Sequence, residues 1–458
     1  MKVVVLGGGF AGFAAAIRLQ ERRHEVVLLE RRGILGGRAT SSRDAATGDE
    51  VDNGTHLMIG GYHATLDLLR RAGAGDLLSF QDELKLEWID ARGVSALDCP
   101  PLAAPLHLLV GLAGLRLPLA VKLQAIRLGL AVRFGRPPVG LTLAEYLRRS
   151  GQGEAARRLL WDPLAIAILN ESVERAAAVL FHRVYQEAFL RDHRASRLVF
   201  PRRGWGTLLE RLAAYFETRG GVVRRGARAE ALVLEAGRAR GVRLAQRPLQ
   251  REEIAGGAAA QERVEPADVV VSALPPPALL ALLSEDLRGR PAFAGLAQFG
   301  GSPIVSVDLW LDRVVVDRAM LGLRDSEMEW VFDKGRLNGR PGAPQHLAFI
   351  ASAAYRSAAK PNAELVAAAV GALKRYFPAM ADAAVTRSLV QREPQATFAS
   401  TPELEALRPG PVSDVPGLYL AGDWTDTGLP ATIEGAVRSG VTAADAAIGY
   451  DPAPRRSP

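Results

Sequence analysis

The chain has 458 residues, enough for two or three domains, and its 48% hydrophobic and 23% charged content excludes disorder, collagen and coiled coil as descriptions of the whole. A single cysteine, Cys99, excludes an intramolecular disulfide, and seven histidines without a metal-binding spacing leave no metal centre to expect. The net charge of +7 comes from 57 basic residues, six of them lysine, but no nucleic-acid motif and no aromatic-interleaved basic stripe accompanies it, so no nucleic-acid partner is expected.

Lys2-Val3-Val4-Val5-Leu6 is an apolar run of the kind buried on both faces of a parallel sheet. It starts too early to leave room for a signal peptide, which points to a cytoplasmic protein. Gly7, Gly9 and Gly12 then form GxGxxG, followed by a predicted helix over 13–23 and a second strand over 25–29 that ends at Glu30. The acid stands 18 residues past the third glycine. In such a unit the first glycine allows the tight turn, the second lets backbone approach a pyrophosphate, and the third lets helix pack on strand. The helix N-terminus offers free N–H groups to phosphate, and the acid accepts from ribose hydroxyls. The fold class is therefore α/β, with a Rossmann-like dinucleotide-binding domain.

The next segment, Glu30-Arg31-Arg32-Gly33-Ile34-Leu35-Gly36-Gly37-Arg38, resembles the ExxxxxGGR continuation of FAD-binding amine oxidases and phytoene-desaturase-type proteins. At the far end, Gly417-Leu418-Tyr419-Leu420-Ala421-Gly422-Asp423 reads as a strand closing on Gly-Asp. Leu429-Pro430-Ala431-Thr432-Ile433-Glu434-Gly435 and a small-residue helix follow, similar to the C-terminal flavin motif of that superfamily. The resemblance implies FAD, held by Gly7, Gly9, Phe10, Ala11, Gly12, Glu30, Arg31, Gly37, Arg38, Gly54, Thr55, His56, Ala229, Gly422, Asp423 and Ile433.

Motifs at both ends require a domain assembled from discontinuous segments: 1–70, 200–280 and 401–448. A mixed α+β substrate domain is expected from 71–199 and 281–400, with a tail at 449–458. Within the flavin domain, 207–218 reads as an amphipathic helix, 220–229 and 239–244 as strand segments, 246–266 as an exposed loop, and 267–275 as a strand leading to a proline-rich turn.

Residues 99–144 contain no acid over 46 positions. Their longest uncharged run, 17 residues, is short of the roughly 20 a spanning helix needs. The stretch 117–136 suits an interfacial helix, apolar on one side and basic, through Lys122, Arg127 and Arg133, toward anionic headgroups. A peripheral position on the inner face of the cell membrane is expected, with His107 as an interface residue.

The Asp52-Asn53-Gly54-Thr55-His56 loop with Tyr62 shortly after resembles the hydroxysqualene dehydroxylases. Residues 101–109, 161–170 and 200–204 add to that resemblance; Thr55 and Gly61 depart from it. What it implies is a C30 isoprenoid substrate and reductive removal of an allylic hydroxyl. His56 is then the first candidate for the general acid, ahead of Tyr62 and Asn170, and Asp52 and Asn53 cap the loop. A carotenoid desaturase or isomerase, an amine oxidase, and a non-catalytic isoprenoid carrier on the same fold are the alternatives. Oligomeric state is left open.

Overall fold

The computed structural model describes residues 1–137, 139–245 and 263–450. Five parallel strands form the first sheet, in the order Val222–Arg225, Glu25–Glu30, Lys2–Leu6, Val269–Ser272 and Leu418–Leu420. Three well-separated stretches of chain thus contribute to one sheet. Its central strands are valine- and leucine-rich and covered on both faces, which is why they read as unbroken apolar runs.

One face packs against helices Phe10–Glu21, Trp205–Glu217 and Ile433–Ile448 around a core that includes Val3, Val5, Phe13, Ile17, Trp205 and Val437. The first and last of these helices cross closely: a Cβ on Gly440 would stand 2.2 Å from the Ala11 carbonyl oxygen. The other face packs against an antiparallel meander of Ala229–Glu235, Arg238–Leu244 and Arg263–Pro266 and the short helix Pro276–Leu282.

A second sheet has seven strands, ordered Val385–Phe398, Gly301–Leu311, Gln345–Ala351, Trp330–Asp333, Met320–Leu323, Lys85–Asp90 and Gly93–Asp98. Its neighbours are antiparallel except for Met320–Leu323 beside Lys85–Asp90. Helix Asn362–Tyr376 seals one face. The other turns toward the first domain and carries Trp88, Met320, Phe332 and Ile350. A separate helical core, built on Val121, Leu128, Leu147, Trp161 and Phe181, joins this side through Leu108, Leu112, Leu117 and Leu164, which touch both cores.

Several sequence expectations need correction. The first helix begins at Phe10 rather than Phe13, because Phe10, Ala11 and Gly12 already form its opening turn. Of the expected loop at 246–266, residues 246–262 lie outside the described residues, while Arg263–Pro266 is a strand paired with Arg238–Leu244. The expected tail beyond residue 450 also lies outside them.

Helix Leu119–Phe134 carries more exposed apolar surface than the sequence suggested. It buries Val121, Ala125, Leu128 and Val132, but its outer face is apolar too, with Leu119, Leu123, Leu130 and Phe134 exposed. Phe134 is 79% exposed. Arg127 and Arg133 are exposed beside that apolar stripe, and Lys122 is half-buried. Lys122 donates to the Ala113 carbonyl at 2.6 Å and Arg133 to that of Leu190 at 3.3 Å. The Arg127 guanidinium lies against Gly151.

Candidate functional site

A cavity of about 1040 Å³ runs from the carboxyl ends of the parallel strands to the inner face of the seven-stranded sheet. Such ends are where open α/β sheets bind ligands. One end is lined by Gly7, Gly8, Gly9, Phe10, Glu30, Arg31 and Ala229; the middle by Gly37, Arg38, Thr55, His56, Gly422, Asp423 and Ile433; and the far end by Ile168, Ile304, Met320, Trp330, Phe332 and Ile350.

The nucleotide end fits a pyrophosphate. Helix Phe10–Glu21 has no side-chain cap at Gly9 and no acid in its first turn, so its first N–H groups face the cavity without an internal partner. The nearest protein atom to a Cβ on Gly9 would be 3.8 Å away, so the protein leaves space there. Gly12 differs: its Cβ would stand 1.9 Å from the Gly7 carbonyl oxygen, and it lies off the cavity lining. Gly7 itself has φ of +104°, a left-handed conformation suited to glycine. Glu30 is buried and accepts from the Gly8 N–H at 2.9 Å and the Arg32 N–H at 2.8 Å. These bonds fix its carboxylate at the cavity edge and leave acceptor capacity for ribose hydroxyls.

In the middle section Arg38 is ion-paired with buried Asp423. Thr432 caps helix Ile433–Ile448 by accepting from the Gly435 N–H at 3.0 Å. Glu434, fully buried, turns away to the start of helix His63–Arg71. It accepts from the N–H groups of Ala64 and Thr65, the Thr65 hydroxyl and Arg438 Nε at 2.8–3.1 Å. Arg438 also reaches Glu187 at 3.4 Å. Glu187 belongs to the π-helical turn Tyr185–Leu190 and, with Arg438 and Glu434, lines the cavity. Sequence reasoning missed this charged line, which joins residues some 250 positions apart.

The three catalytic candidates fare differently. His56 sits edge-on to Trp205 at 5.9 Å, with its buried Nε2 unpartnered among the described residues. Burial lowers its pKa, against the opposing pull of Asp52 and a hydrogen bond to the Arg38 carbonyl. Its ring is therefore neutral at neutral pH, which weakens it as a proton donor. Burial raises the Tyr62 pKa, so that phenol stays protonated beside Thr432.

Asn170 is committed to the scaffold. It ends helix Asp162–Leu169 with φ of +50°, donates to the Ser302 carbonyl and to Thr397 Oγ1, and accepts from the Ala353 N–H at 2.7 Å. Gly54 lies outside the cavity lining, behind His56. Asp52 does more than cap its loop. Burial would raise its pKa, but Lys334 Nζ at 2.7 Å and the Ser41 hydroxyl at 2.6 Å outweigh that and lower it. Asn53 accepts from the Thr40 N–H at 3.2 Å. His107 is buried rather than interfacial.

From residue 10 to 448 the sequence matches the family of flavin-containing amine oxidoreductases. The chain belongs to that family. It is an FAD-dependent oxidoreductase, and the uncapped helix, the room at Gly9 and the anchored Glu30 suit that cofactor. The chain is 31% identical over 453 residues to a hydroxysqualene dehydroxylase of Rhodopseudomonas palustris, covering 97% of each chain. It is 25% identical over 490 residues to a 15-cis-phytoene desaturase of Synechococcus elongatus, covering 100% of this chain and 98% of that one. An oxidoreductase from Methanosarcina mazei shares the fold with a TM-score of 0.73 at 18% identity, over 97% of this chain and 100% of that chain.

Proposed function

We propose that the protein removes the allylic hydroxyl of hydroxysqualene reductively, giving squalene. The observation that carries this reading is the 31% identity to a named hydroxysqualene dehydroxylase along 97% of both chains. The cavity supports it: beyond the flavin section its walls are Ile168, Ile304, Met320, Trp330, Phe332 and Ile350, a surface for a long hydrocarbon.

In this reading the N–H groups at Phe10 and Ala11 hold the pyrophosphate, and Glu30 holds the adenosine ribose. Ala229 borders the adenine, Asp423 takes a ribityl hydroxyl, and Arg31, Arg38, Gly37, Thr55 and Ile433 line the cofactor's path. The start of helix Ile433–Ile448 favours negative charge at the flavin edge. His56 and Tyr62 shape the ring pocket, and the aliphatic and aromatic walls exclude water from a developing cation. The bound flavin supplies the hydride.

The outer faces of helices Leu106–Gly114 and Leu119–Phe134 expose Leu106, Val110, Leu119, Leu123, Leu130 and Phe134 together. Among the described residues no helix is long and apolar enough to cross a membrane. We take this surface to dock on a bilayer without spanning it, on the cytoplasmic face, where a water-insoluble C30 substrate resides. Leu108, Leu112 and Leu117 connect it to Leu164 on the cavity wall.

The deciding experiment is anaerobic turnover of photoreduced enzyme with hydroxysqualene, with product analysis. Squalene carrying deuterium from N5-labelled flavin at the former carbinol carbon is expected. Desaturation of phytoene without any squalene would move the assignment to the carotenoid side.

A further inference from the structure

We propose that Glu329, acting through the hydroxyl of Ser352, supplies the proton that turns the substrate's hydroxyl into water. This rests on the dehydroxylation reading above, which calls for an acid because hydroxide leaves poorly. None of the residues expected from sequence provides a good one.

Strands Trp330–Asp333 and Gln345–Ala351 pair with Trp330 opposite Ile350, and both of those side chains line the cavity. Glu329 stands just before the first strand and Ser352 just after the second, so the antiparallel register brings them together at one end of the pair. The Glu329 N–H donates to the Ile350 carbonyl at 2.9 Å, and the Ser352 N–H donates to Glu329 Oε2 at 3.0 Å. The Ser352 side chain lies near enough to the carboxyl to favour its ionised form, an effect that burial outweighs. Ser352 lines the cavity, beside the strand carrying Ile304: the Ala354 N–H bonds the Pro303 carbonyl at 2.9 Å. Glu329 is partly buried behind it.

The charged and titratable groups on the flanking segments are engaged elsewhere. Glu327 is paired with Lys360 and accepts from Ser357. Arg324 lies over Trp88 and donates to the Leu159 carbonyl. Arg375 donates to the Asp325 carbonyl, and the Tyr355 hydroxyl donates to Glu171. With no cation in contact among the described residues, burial pushes the Glu329 carboxyl up to about 7. It is therefore about half protonated at pH 7 and mostly protonated below that. Of the other acids that line the cavity, Glu30, Asp423, Glu434 and Glu187 are each already paired with an arginine or with backbone N–H groups, Glu393 lies near the Arg38 cation, and Glu230 stands at the nucleotide end beside Ala229.

The step balances as follows. The Ser352 hydroxyl passes its proton to the substrate oxygen while Glu329 returns one to Ser352. The C–O bond breaks with its electron pair on oxygen, and water leaves. The allylic cation takes a hydride from the flavin, previously reduced by a two-electron donor, and Glu329 regains its proton from solvent.

The test mixes photoreduced holoenzyme with hydroxysqualene in detergent micelles and follows flavin reoxidation and squalene across pH. Wild-type turnover should fall as pH rises through about 7. Glu329→Gln should bind FAD with an unchanged spectrum, react about 10²–10⁴-fold more slowly and lose that pH dependence. Ser352→Ala should slow turnover while keeping the infrared carbonyl band of a protonated carboxyl that titrates near 7, the band that Glu329→Gln removes. Wild-type turnover with Glu329→Gln matching it in rate and pH profile would overturn the proposal alone. Absence of squalene from the wild type would overturn the dehydroxylation reading and the proposal with it.

Discussion

Two glycines three residues apart should fail for opposite reasons. At Gly12 an added methyl would stand 1.9 Å from the Gly7 carbonyl oxygen, backbone against helix, so the helix must move by about an ångström to restore contact distance. Overpacking of that kind costs about 1–3 kcal/mol. At Gly9 the nearest protein atom to the methyl is 3.8 Å away, and φ of −94° with ψ of −175° is open to alanine. The apoprotein should not suffer from Gly9→Ala, and the smaller entropy of its unfolded chain should add about 0.4–1 kcal/mol of stability. The methyl instead occupies the space proposed for the pyrophosphate. Losing one charge-assisted hydrogen bond there removes about 1.5–3 kcal/mol of FAD affinity, or roughly ten- to a hundredfold. Denaturant unfolding of flavin-stripped protein, paired with FAD titration by fluorescence, separates the two effects. Gly12→Ala should lower the unfolding midpoint and Gly9→Ala should not, whereas Gly9→Ala should weaken FAD. If Gly9→Ala bound FAD like the wild type, the pyrophosphate would not lie where the helix opens.

Glu434→Ala should destabilise the fold by about 3 kcal/mol, since it strips the buried N–H groups of Ala64 and Thr65 and frees Arg438; a melting curve identical to wild type would contradict that. Replacing Leu119, Leu123 and Leu130, which are 71%, 58% and 54% exposed, with glutamine should reduce liposome co-sedimentation. At roughly 1 kcal/mol each the loss is about a hundredfold. Wild-type binding should persist in part at high salt, because the exposed leucines carry it while the exposed Arg127 and Arg133 add a salt-sensitive share; complete release by salt would restore the electrostatic account. Burial lowers the pKa of His107 in the fold below its ordinary 6.5, and both ring nitrogens lack hydrogen-bond partners among the described residues. The unfolded chain therefore takes up the proton first, so this contribution to stability is present above pH 6.5 and is lost as pH falls through the lowered value. His107→Leu should flatten the decline in the urea midpoint between pH 6.5 and 5 and raise the midpoint itself; an unaltered profile would exclude His107 as its source.

The nucleotide end was legible because its chemistry is local. Gly7, Gly9 and Glu30 lie within one βαβ unit, and each demand falls on a residue near the next. The far wall was not, because strand Gln345–Ala351 is buried along its whole length. With apolar residues on both faces, Ile350 toward the cavity and Phe349 toward helix Asn362–Tyr376, no period of two marks which face meets the substrate. Charges suffered from distance. Nothing near Glu329 foretells a serine 23 positions later, and nothing near Arg438 foretells Glu187. The anchoring of Asn170 was not legible for a related reason: its three partners sit on strands and loops more than 130 residues away.

The apolar helix at 119–134 shows how composition and placement part company. Composition identified a lipid-like segment, and a helical wheel assigned its basic residues to the outer surface. Packing adds to that assignment: Val121, Ala125, Leu128 and Val132 pair with the helical core and leave a second apolar stripe uncovered, with Arg127 and Arg133 exposed beside it. A helix apolar all round belongs in a core or against lipid, and this one meets the protein on one side only. The inner stripe shares its core with Leu164, and Leu164 reaches the cavity wall. The exposed leucines and the proposed C30 site therefore lie on two sides of one layer of helices. A substrate drawn from a bilayer would have only that layer to pass, so in the proposed docking the exposed leucines, flanked by Arg127 and Arg133, are the surface placed to serve the chemistry.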